Sequence, residues 1–206
     1  MKKVFVPFVL LAVAFALSAV AASPRASSDN GAVTPAAIGT VVEDFKLPDT
    51  DGHEHTLASL KGKNGTVLIF ISVQCPVSNA YNERMEKLYE DYKAQGVSVV
   101  GINANSTEPT EVVKAHAREK GLNFPVLKDP ENKIADRLGA SHTPEVFFLD
   151  ASGKLVYHGA IDNATNPVMV NTNHLRNAID AVLAGKPVER SDVKAFGCSI
   201  KRVGSM

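Results

Sequence analysis

The sequence predicts an α/β fold in which a central, mixed β-sheet is flanked by helices. Segments rich in β-branched residues alternate with amphipathic segments of helical period, and the last two strand-like segments are joined by a short turn. Strands that alternate with helices form a largely parallel sheet, whereas strands joined by a tight turn pair in antiparallel fashion. The predicted order of elements is β-β-α-β-α-β-α-β-β-α.

The first half of the chain begins with a predicted hairpin around the Asp51-Gly52 turn. The β-branched run Gly65–Ser72 suits a strand that is buried on both faces. A helix is predicted from Pro76 to the stop at Gly96, because apolar residues recur along it at spacings of three and four. This apolar stripe consists of Val77, Tyr81, Met85, Leu88 and Tyr92.

The second half continues the same alternation of strands and helices. Strands are predicted at 97–105, 124–129 and 145–150, a final hairpin strand at 153–161, and helices at 108–121, 131–140 and 173–186.

The N-terminus has the pattern of an export signal. Lys2 and Lys3 precede an apolar run from Val4 to Leu17, and small residues follow up to Ala22. This order predicts a signal peptide at 1–22, cleaved near Ala22, and hence a periplasmic or secreted protein without stable membrane contact. An uncleaved membrane anchor is the alternative.

Composition divides the remaining chain into three parts and excludes one class of partner. The predicted parts are a Ser/Ala/Pro-rich flexible linker at 23–37, a domain at 38–186 and a C-terminal tail at 187–206. Cleavage would remove two lysines from a chain of 22 basic and 22 acidic residues, which leaves a net charge of −2. With no basic patch, nucleic acid is not expected as a partner.

The chain has two cysteines, and Cys75 stands where a predicted strand meets a predicted helix. Pro76 fits the first helical position, and the free N–H groups of the first turn would favour a thiolate. At pH 7 a thiol of pKa about 8.5 is about 3% ionised, whereas one of pKa about 6.5 is about three-quarters ionised. We therefore expect Cys75 to be a nucleophile. The hydroxyls of Ser72 and Ser78 are candidate donors to its sulfur, or ordinary helix caps.

Two segments carry a family resemblance: "DFKLPDTDGHEHTLASLKGKNGTVLIFISVQCP", which ends at Pro76, and "SHTPEVFFLDASGKLVYHG", which ends at Gly159. They resemble the thioredoxin superfamily and, more narrowly, the peroxiredoxin-like branch of the alkyl hydroperoxide reductase/thiol-specific antioxidant group. The resemblance implies a thioredoxin-like fold in which Pro144 is a cis-proline facing Cys75. It also implies that Thr143 presents backbone groups to an incoming substrate.

The departures from these families narrow the expected activity. Thioredoxins carry Cys-x-x-Cys, but Ser78 occupies the second cysteine position; peroxiredoxins carry Pro-x-x-x-Thr-x-x-Cys, but Leu68 replaces the proline. The peroxide-activating arginine expected near Pro144 is also missing from the sequence. The resemblance thus implies a thiol–disulfide oxidoreductase or a weak thiol peroxidase. Its partners would be a disulfide-bearing protein or a peroxide, and a thiol reductant, with no cofactor beyond its own thiols.

Cys198, in "AFGCSIK" beyond the last helix, is the only possible intramolecular partner of Cys75. It would act as a resolving cysteine that attacks oxidised Cys75, as a structural staple, or as one half of an intermolecular bridge. In each intramolecular case the tail must fold back over Cys75.

Two other functions are also compatible with the sequence. Cys75 and Cys198 with a histidine, above all His142 beside the Thr143-Pro144 loop, would make a thiolate–imidazole site for copper or zinc. A thioredoxin-fold module that only binds partners, with a structural Cys75–Cys198 disulfide, is the other. Glu145 is a further candidate for proton transfer near the site.

Overall fold

The computed structural model describes residues 1–3 and 35–204. The predicted signal peptide and linker lie almost entirely outside these residues. Within the described ranges, no helix is both long and apolar enough to cross a membrane.

A five-stranded sheet forms the centre of the domain, in the order β5-β4-β3-β7-β8. Strands β3, β4 and β5 run parallel, whereas β7 is antiparallel to both β3 and β8. The predicted mixed sheet is therefore confirmed. The strands are β3 (Gly65–Phe70), β4 (Val97–Asn103), β5 (Val126–Lys128), β7 (Glu145–Asp150) and β8 (Leu155–Gly159).

Helices cover both faces of the sheet, because alternate side chains of β3 point to opposite sides. Val67 and Ile69 pack with α3, α4 and α6, whereas Leu68 and Phe70 pack with α1, α5 and the N-terminal hairpin. All six residues of β3 are buried, as predicted for this run. The helices are α1 (Leu57–Leu60), α2 (Pro76–Asn79), α3 (Asn82–Lys93), α4 (Thr110–Glu119), α5 (Lys133–Leu138) and α6 (His174–Leu183).

Two small antiparallel pairs stand apart from the central sheet. The predicted hairpin at Asp51-Gly52 is present as β1 (Lys46–Pro48) and β2 (Glu54–Thr56). The other pair joins β6 (His142–Thr143) to β9 (Cys198–Ser199) and was not predicted. It brings the C-terminal tail to the segment that precedes Pro144.

The helix that follows Cys75 is divided, whereas the sequence predicted one continuous helix to Gly96. It breaks between α2 and α3, where the Tyr81 N–H donates to the Ser78 carbonyl three residues earlier, at 3.0 Å. An i,i+3 bond tightens the turn relative to an α-helix. The predicted stripe still holds, since Tyr81, Met85, Leu88 and Tyr92 are all buried.

Candidate active site around Cys75

Cys75 is the N-terminal cap of α2, and Pro76 takes the first helical position as predicted. Its sulfur accepts a hydrogen bond from the Ser78 N–H at 3.3 Å. The same sulfur lies 3.2 Å from the carbonyl oxygen of Thr143, a distance at which a reduced thiol donates a hydrogen bond. Because α2 has only four residues, the nearest N–H groups, rather than a long helix dipole, supply the positive potential at this sulfur.

The peptide bond between Thr143 and Pro144 is cis. The Thr143 carbonyl contacts the Cys75 sulfur, so the loop faces the cysteine as the resemblance implied. Thr143 is 1% exposed and forms the end of β6.

Cys75 and Cys198 form a disulfide with a Cα–Cα distance of 5.8 Å. Residues Thr143 and Cys198 are direct partners in the pairing of β6 with β9. Cys75 is 2% exposed, whereas Cys198 is only half-buried. The tail therefore covers Cys75, and Cys198 is the more exposed of the two cysteine residues.

Gly197 allows the tail to approach the cis-proline loop closely. Its φ is +147°, and a Cβ at this position would lie 2.0 Å from the Thr143 carbonyl oxygen. Such a contact is far inside van der Waals distance, so a side chain here would force the backbones apart. The glycine thus permits the approach that brings the cysteines together.

The two serines near Cys75 contact it through other atoms than predicted. The Ser72 hydroxyl accepts from the Cys75 N–H at 3.1 Å and donates to the Glu108 carboxylate at 2.6 Å. The Ser78 hydroxyl oxygen accepts from the Ser72 N–H at 3.1 Å, while its own N–H contacts the sulfur. Both side chains hold the backbone around Cys75, and the expected hydroxyl bonds to the sulfur are replaced by these contacts.

Glu108 organises the turn that precedes Cys75. Its carboxylate accepts from the N–H groups of Val73 and Gln74 at 3.0 and 2.9 Å, and from the hydroxyl of Ser72 and the side-chain amide of Asn103. It is 2% exposed. Burial alone raises the pKa of the Glu108 carboxyl, but these hydrogen bonds outweigh it and hold that pKa below its ordinary value.

A buried lysine continues this network beneath the turn. Lys128, 6% exposed, donates to the Asn103 side-chain oxygen at 2.5 Å and to the Asn105 carbonyl at 2.8 Å. Burial lowers the pKa of Lys128, and the neighbouring carboxylates of Glu108 and Asp129 offset this shift only in part.

Glu145 supports the cis-proline loop from below. One carboxylate oxygen accepts from the N–H groups of Ser141 and His142, at 2.6 and 2.7 Å, and the other lies 2.8 Å from Nε2 of His158. Burial raises the pKa of Glu145, but these bonds, led by that from His158, hold it below its ordinary value. The contacts position the loop, so they supply no support for the predicted proton transfer.

His158 links Glu145 to the tail. Its Nδ1 lies 3.0 Å from the Asp192 carboxylate, and the two residues also form an isolated parallel bridge. The hydrogen bond with Glu145 raises the pKa of His158, burial opposes this, and Asp192 raises it further.

The predicted metal site is not formed. Within the part of the chain that the structure describes, no group of three or more His, Cys, Asp or Glu side chains is arranged to hold a metal ion. The Cys75 and Cys198 sulfurs are bonded to each other. Nδ1 of His142 lies 2.7 Å from the Ser141 hydroxyl. In this disulfide-bonded form the two sulfurs are not free to bind a metal, and the copper or zinc hypothesis stays a prediction for the reduced protein.

The sequence prediction missed Glu108, Asn103 and Lys128. A usable signal was present, because Asn103 and Lys128 end the parallel strands β4 and β5. The carboxyl ends of parallel strands meet at one edge of a sheet, which here is the edge that carries Cys75. Glu108 offered no such signal, since it precedes a helix at a position where acidic residues are common on the surface.

The AhpC/TSA family model matches residues 38–158 of this chain. The chain belongs to this family. Thiol-disulfide oxidoreductase ResA of Geobacillus kaustophilus (strain HTA426) is 33% identical over 122 residues, which cover 59% of this chain and 68% of the relative. The ResA protein of Bacillus subtilis (strain 168) is 32% identical over 118 residues, covering 57% and 64% of the two chains.

Solved structures give the same fold for this AhpC/TSA member. The hypothetical protein SMc02350 from Sinorhizobium meliloti 1021 superposes with a TM-score of 0.77 and 38% identity, covering 84% of this chain and 98% of that one. Peroxidoxin BcpB from Mycobacterium tuberculosis, with a TM-score of 0.58 and 21% identity over 73% of this chain and 97% of that one, shows a likeness of fold. The predicted thioredoxin-like fold and redoxin family are confirmed, as is the oxidoreductase class.

Proposed function

We propose that this AhpC/TSA family member exchanges disulfides with proteins, using Cys75 as the thiolate nucleophile and Cys198 as the resolving cysteine. The observation that carries the proposal is the bond between these two cysteines at the cis-proline loop. Ser78 occupies the place of a local second cysteine, so the tail supplies the second thiol from a sequence separation of 123 residues.

In the proposed reaction, the Cys75 thiolate attacks one sulfur of a substrate disulfide and expels the other as a thiolate. The Cys198 thiolate then attacks the Cys75 sulfur, forms the internal disulfide and releases the remaining substrate thiolate. Two electrons pass from the protein dithiol to the substrate disulfide. An external dithiol returns them by attacking the sulfur of Cys198, the more exposed cysteine, which expels the Cys75 thiolate.

The Ser78 N–H is the group that stabilises the attacking thiolate. A hydrogen bond to a charged group contributes about 1.5–3 kcal/mol, roughly twice a neutral one. The Thr143 carbonyl accepts a hydrogen bond from the neutral thiol. This bond favours the thiol over the thiolate and so opposes the effect of the Ser78 N–H. Glu108 and Ser72 act one step further away by fixing the turn that aims the Ser78 N–H.

Peroxide is a poorer substrate in this proposal. Leu68 and the residues around Pro144 depart from the peroxidase pattern. The Ser72 hydroxyl, which stands at the Thr/Ser position of that pattern, donates to Glu108. A hydroxyl held in this way is not free to position a peroxide, which leaves only a weak thiol peroxidase activity.

We place the protein in an oxidising, exported compartment, where a disulfide persists. The sequence pattern of residues 1–22 supports signal-peptide cleavage near Ala22. The same proposal assigns residues 23–37 to a linker, 38–186 to the redoxin domain and 187–206 to the tail that carries Cys198.

A non-catalytic module with a structural disulfide is the second candidate. The 2% exposure of Cys75 and the pairing of the tail with β6 favour it. A staple needs no thiolate, so the two candidates differ in the reactivity of reduced Cys75.

The test uses the reduced full chain with excess 5,5′-dithiobis(2-nitrobenzoate). The wild type should release two equivalents of thionitrobenzoate and keep no adduct, the second release being independent of reagent concentration because it is intramolecular. Cys198→Ser should release one equivalent and retain one adduct on Cys75, as measured by mass spectrometry. A Cys75 that reacts only in denaturant would support the structural staple instead, and a wild type that retains two adducts would overturn Cys198 as the resolving cysteine.

A further inference from the structure

The tail is held at β6 and at the loop after β4 by its backbone groups, and further along by the Arg202 side chain, which donates to the Ala140 carbonyl at 2.7 Å. The Ile200 N–H donates to the Ser141 carbonyl at 2.9 Å, and the Lys201 N–H donates to the Asn105 side-chain oxygen at 2.8 Å. The Lys201 carbonyl accepts from the Ser106 N–H at 2.9 Å. Any extended chain carries such backbone groups, so another strand could make the same backbone contacts at this edge.

Three side chains of the tail, at alternate positions from Phe196 to Ile200, pack against the domain. Cys198 is bonded to Cys75, Ile200 is 7% exposed in the core cluster of β3 and α5, and Phe196 packs edge-to-face on Tyr81 at 6.4 Å between ring centroids. Ser199, between the cysteine and the isoleucine, is exposed. The tail therefore places an aromatic side chain against Tyr81 before the cysteine and an aliphatic one in the core after it.

Gly197 is the most constrained position of this segment. A Cβ there would lie 2.0 Å from the oxygen and 2.8 Å from the carbon of the Thr143 carbonyl, both backbone atoms. That carbonyl is held between Pro144 and the Cys75 sulfur. A backbone atom fixed on both sides cannot move away as the end of a flexible side chain would, and the φ of +147° is itself unfavourable for any L-residue.

We propose that Phe196–Ile200 is an internal copy of the substrate, and that the edge it covers selects a matching segment in another protein. The segment would be extended and of the form aromatic, glycine, cysteine, any residue, aliphatic, with the glycine as the strongest determinant. This inference rests on the proposed function. The inference extends that function with a preferred substrate sequence, and with the tail as a competitor for the edge of β6.

The tail and the substrate exchange places during the reaction. When the internal disulfide is reduced, the tail leaves β6 and the substrate strand pairs there, so that Cys75 attacks the cysteine that follows its glycine. The leaving thiolate is the second cysteine of the substrate disulfide. On its return the tail displaces the bound strand, and the Cys198 thiolate expels the substrate cysteine from Cys75. Atoms and electrons balance as in the exchange described above.

The test measures how fast Cys75 forms a mixed disulfide with two peptides. The reduced full-length Cys198→Ser variant is mixed with the peptide AFGCSIK, whose cysteine carries a thionitrobenzoate leaving group, or with a matched peptide that has alanine in place of glycine. The rate of thionitrobenzoate release, divided by the rate of each peptide with free glutathione, reports selection by the protein. Strain of about 1–3 kcal/mol at the glycine position corresponds to a rate ratio of about 5- to 150-fold in favour of AFGCSIK.

A second variant tests whether the tail competes. Gly197→Ala combined with Cys198→Ser places the same Cβ in the tail, so AFGCSIK should react faster with it than with Cys198→Ser alone. An unchanged or lower rate would overturn the shared site, and equal rates for the two peptides would overturn the selection for glycine. If neither peptide reacts but 5,5′-dithiobis(2-nitrobenzoate) does, the inference fails and the proposed function stands. If none of the three reacts with Cys75, the proposed function fails as well.

Discussion

Cys75 lies between two segments that are held in place in different ways, the turn at residues 72–74 and the C-terminal tail. On one side, the turn at residues 72–74 is held by the buried carboxylate of Glu108, which accepts four hydrogen bonds. On the other side, the tail is held by one disulfide, by backbone pairing at β6, by the buried side chain of Ile200 and by the half-buried Phe196. The carboxylate that holds the turn is buried, whereas the backbone contacts of the tail can be replaced by water or by another strand.

This difference explains how a buried sulfur can take part in exchange. Removing a donor from Glu108 leaves a buried charge unsatisfied, which is costly, so the turn should stay fixed when the disulfide is reduced. Releasing the tail exposes backbone groups that water can satisfy. The fixed turn at residues 72–74 orients the sulfur, and displacement of the tail admits the substrate.

The largest expected effect is the loss of stability when the tail is no longer bonded to Cys75. Reduction of the disulfide, or Cys198→Ser, should lower the free energy of unfolding by about 4–5 kcal/mol, because a loop of more than a hundred residues is no longer closed in the unfolded chain. Denaturant titration of oxidised and reduced protein measures this loss, and Cys75→Ser is the matched control with the same expected loss. A loss below about 1 kcal/mol in both variants would contradict a tail held chiefly by the disulfide.

A smaller loss of stability is expected when the hydrogen bonds of the Glu108 carboxylate are weakened. Glu108→Gln turns one carboxylate oxygen into an NH₂ group that faces donors, and should lower the free energy of unfolding by about 2–3 kcal/mol. Glu111→Gln, at an exposed position in the first turn of α4, is the matched control and should change little. Glu108→Gln should also slow thionitrobenzoate release from Cys75 in the Cys198→Ser background, since the Ser78 N–H is less well aimed. An unchanged rate would show that the hydrogen bonds of Glu108 do not affect the reactivity of Cys75.

The smallest effect concerns the pH dependence of the tail anchor. The pKa of His158 is raised by Glu145 and Asp192, so the stabilisation from its charged form is complete below about 6.5 and is lost as pH rises through the raised value. The pKa of Glu145 is lowered, so its contribution is present above its unfolded value and is lost as pH falls through the folded one.

The unfolding free energy of the wild type, relative to His158→Gln, should therefore decrease between about pH 6 and pH 8. Denaturant titrations at several pH values measure it, with His53→Gln on the exposed β1–β2 hairpin as control. A difference that rises with pH over this range would contradict the His158 anchor.

The sequence predicted well what depends on neighbouring residues. The buried run of β3 and the Cys75-Pro76 junction follow local patterns, and both are present. The resemblance supplied the cis bond before Pro144. Contacts between distant segments could not be predicted in the same way: Glu108 is 36 residues from Ser72, and Thr143 is 55 residues from Cys198.

Pairing of the tail with β6 had no periodic signal, because a two-residue strand is too short to show alternation. The break after α2 was hidden for a related reason. The stripe of apolar residues continues through it, while the change to an i,i+3 bond affects only the backbone.

The central claim is that the Cys75 sulfur reacts as a thiolate near neutral pH. Its most direct test is the pH dependence of iodoacetamide alkylation at Cys75 in the reduced Cys198→Ser variant, followed by mass spectrometry. The rate should follow an apparent pKa clearly below the value of about 8.5 for a free thiol. An apparent pKa at or above that value would contradict the account and leave Cys75 as half of a structural staple.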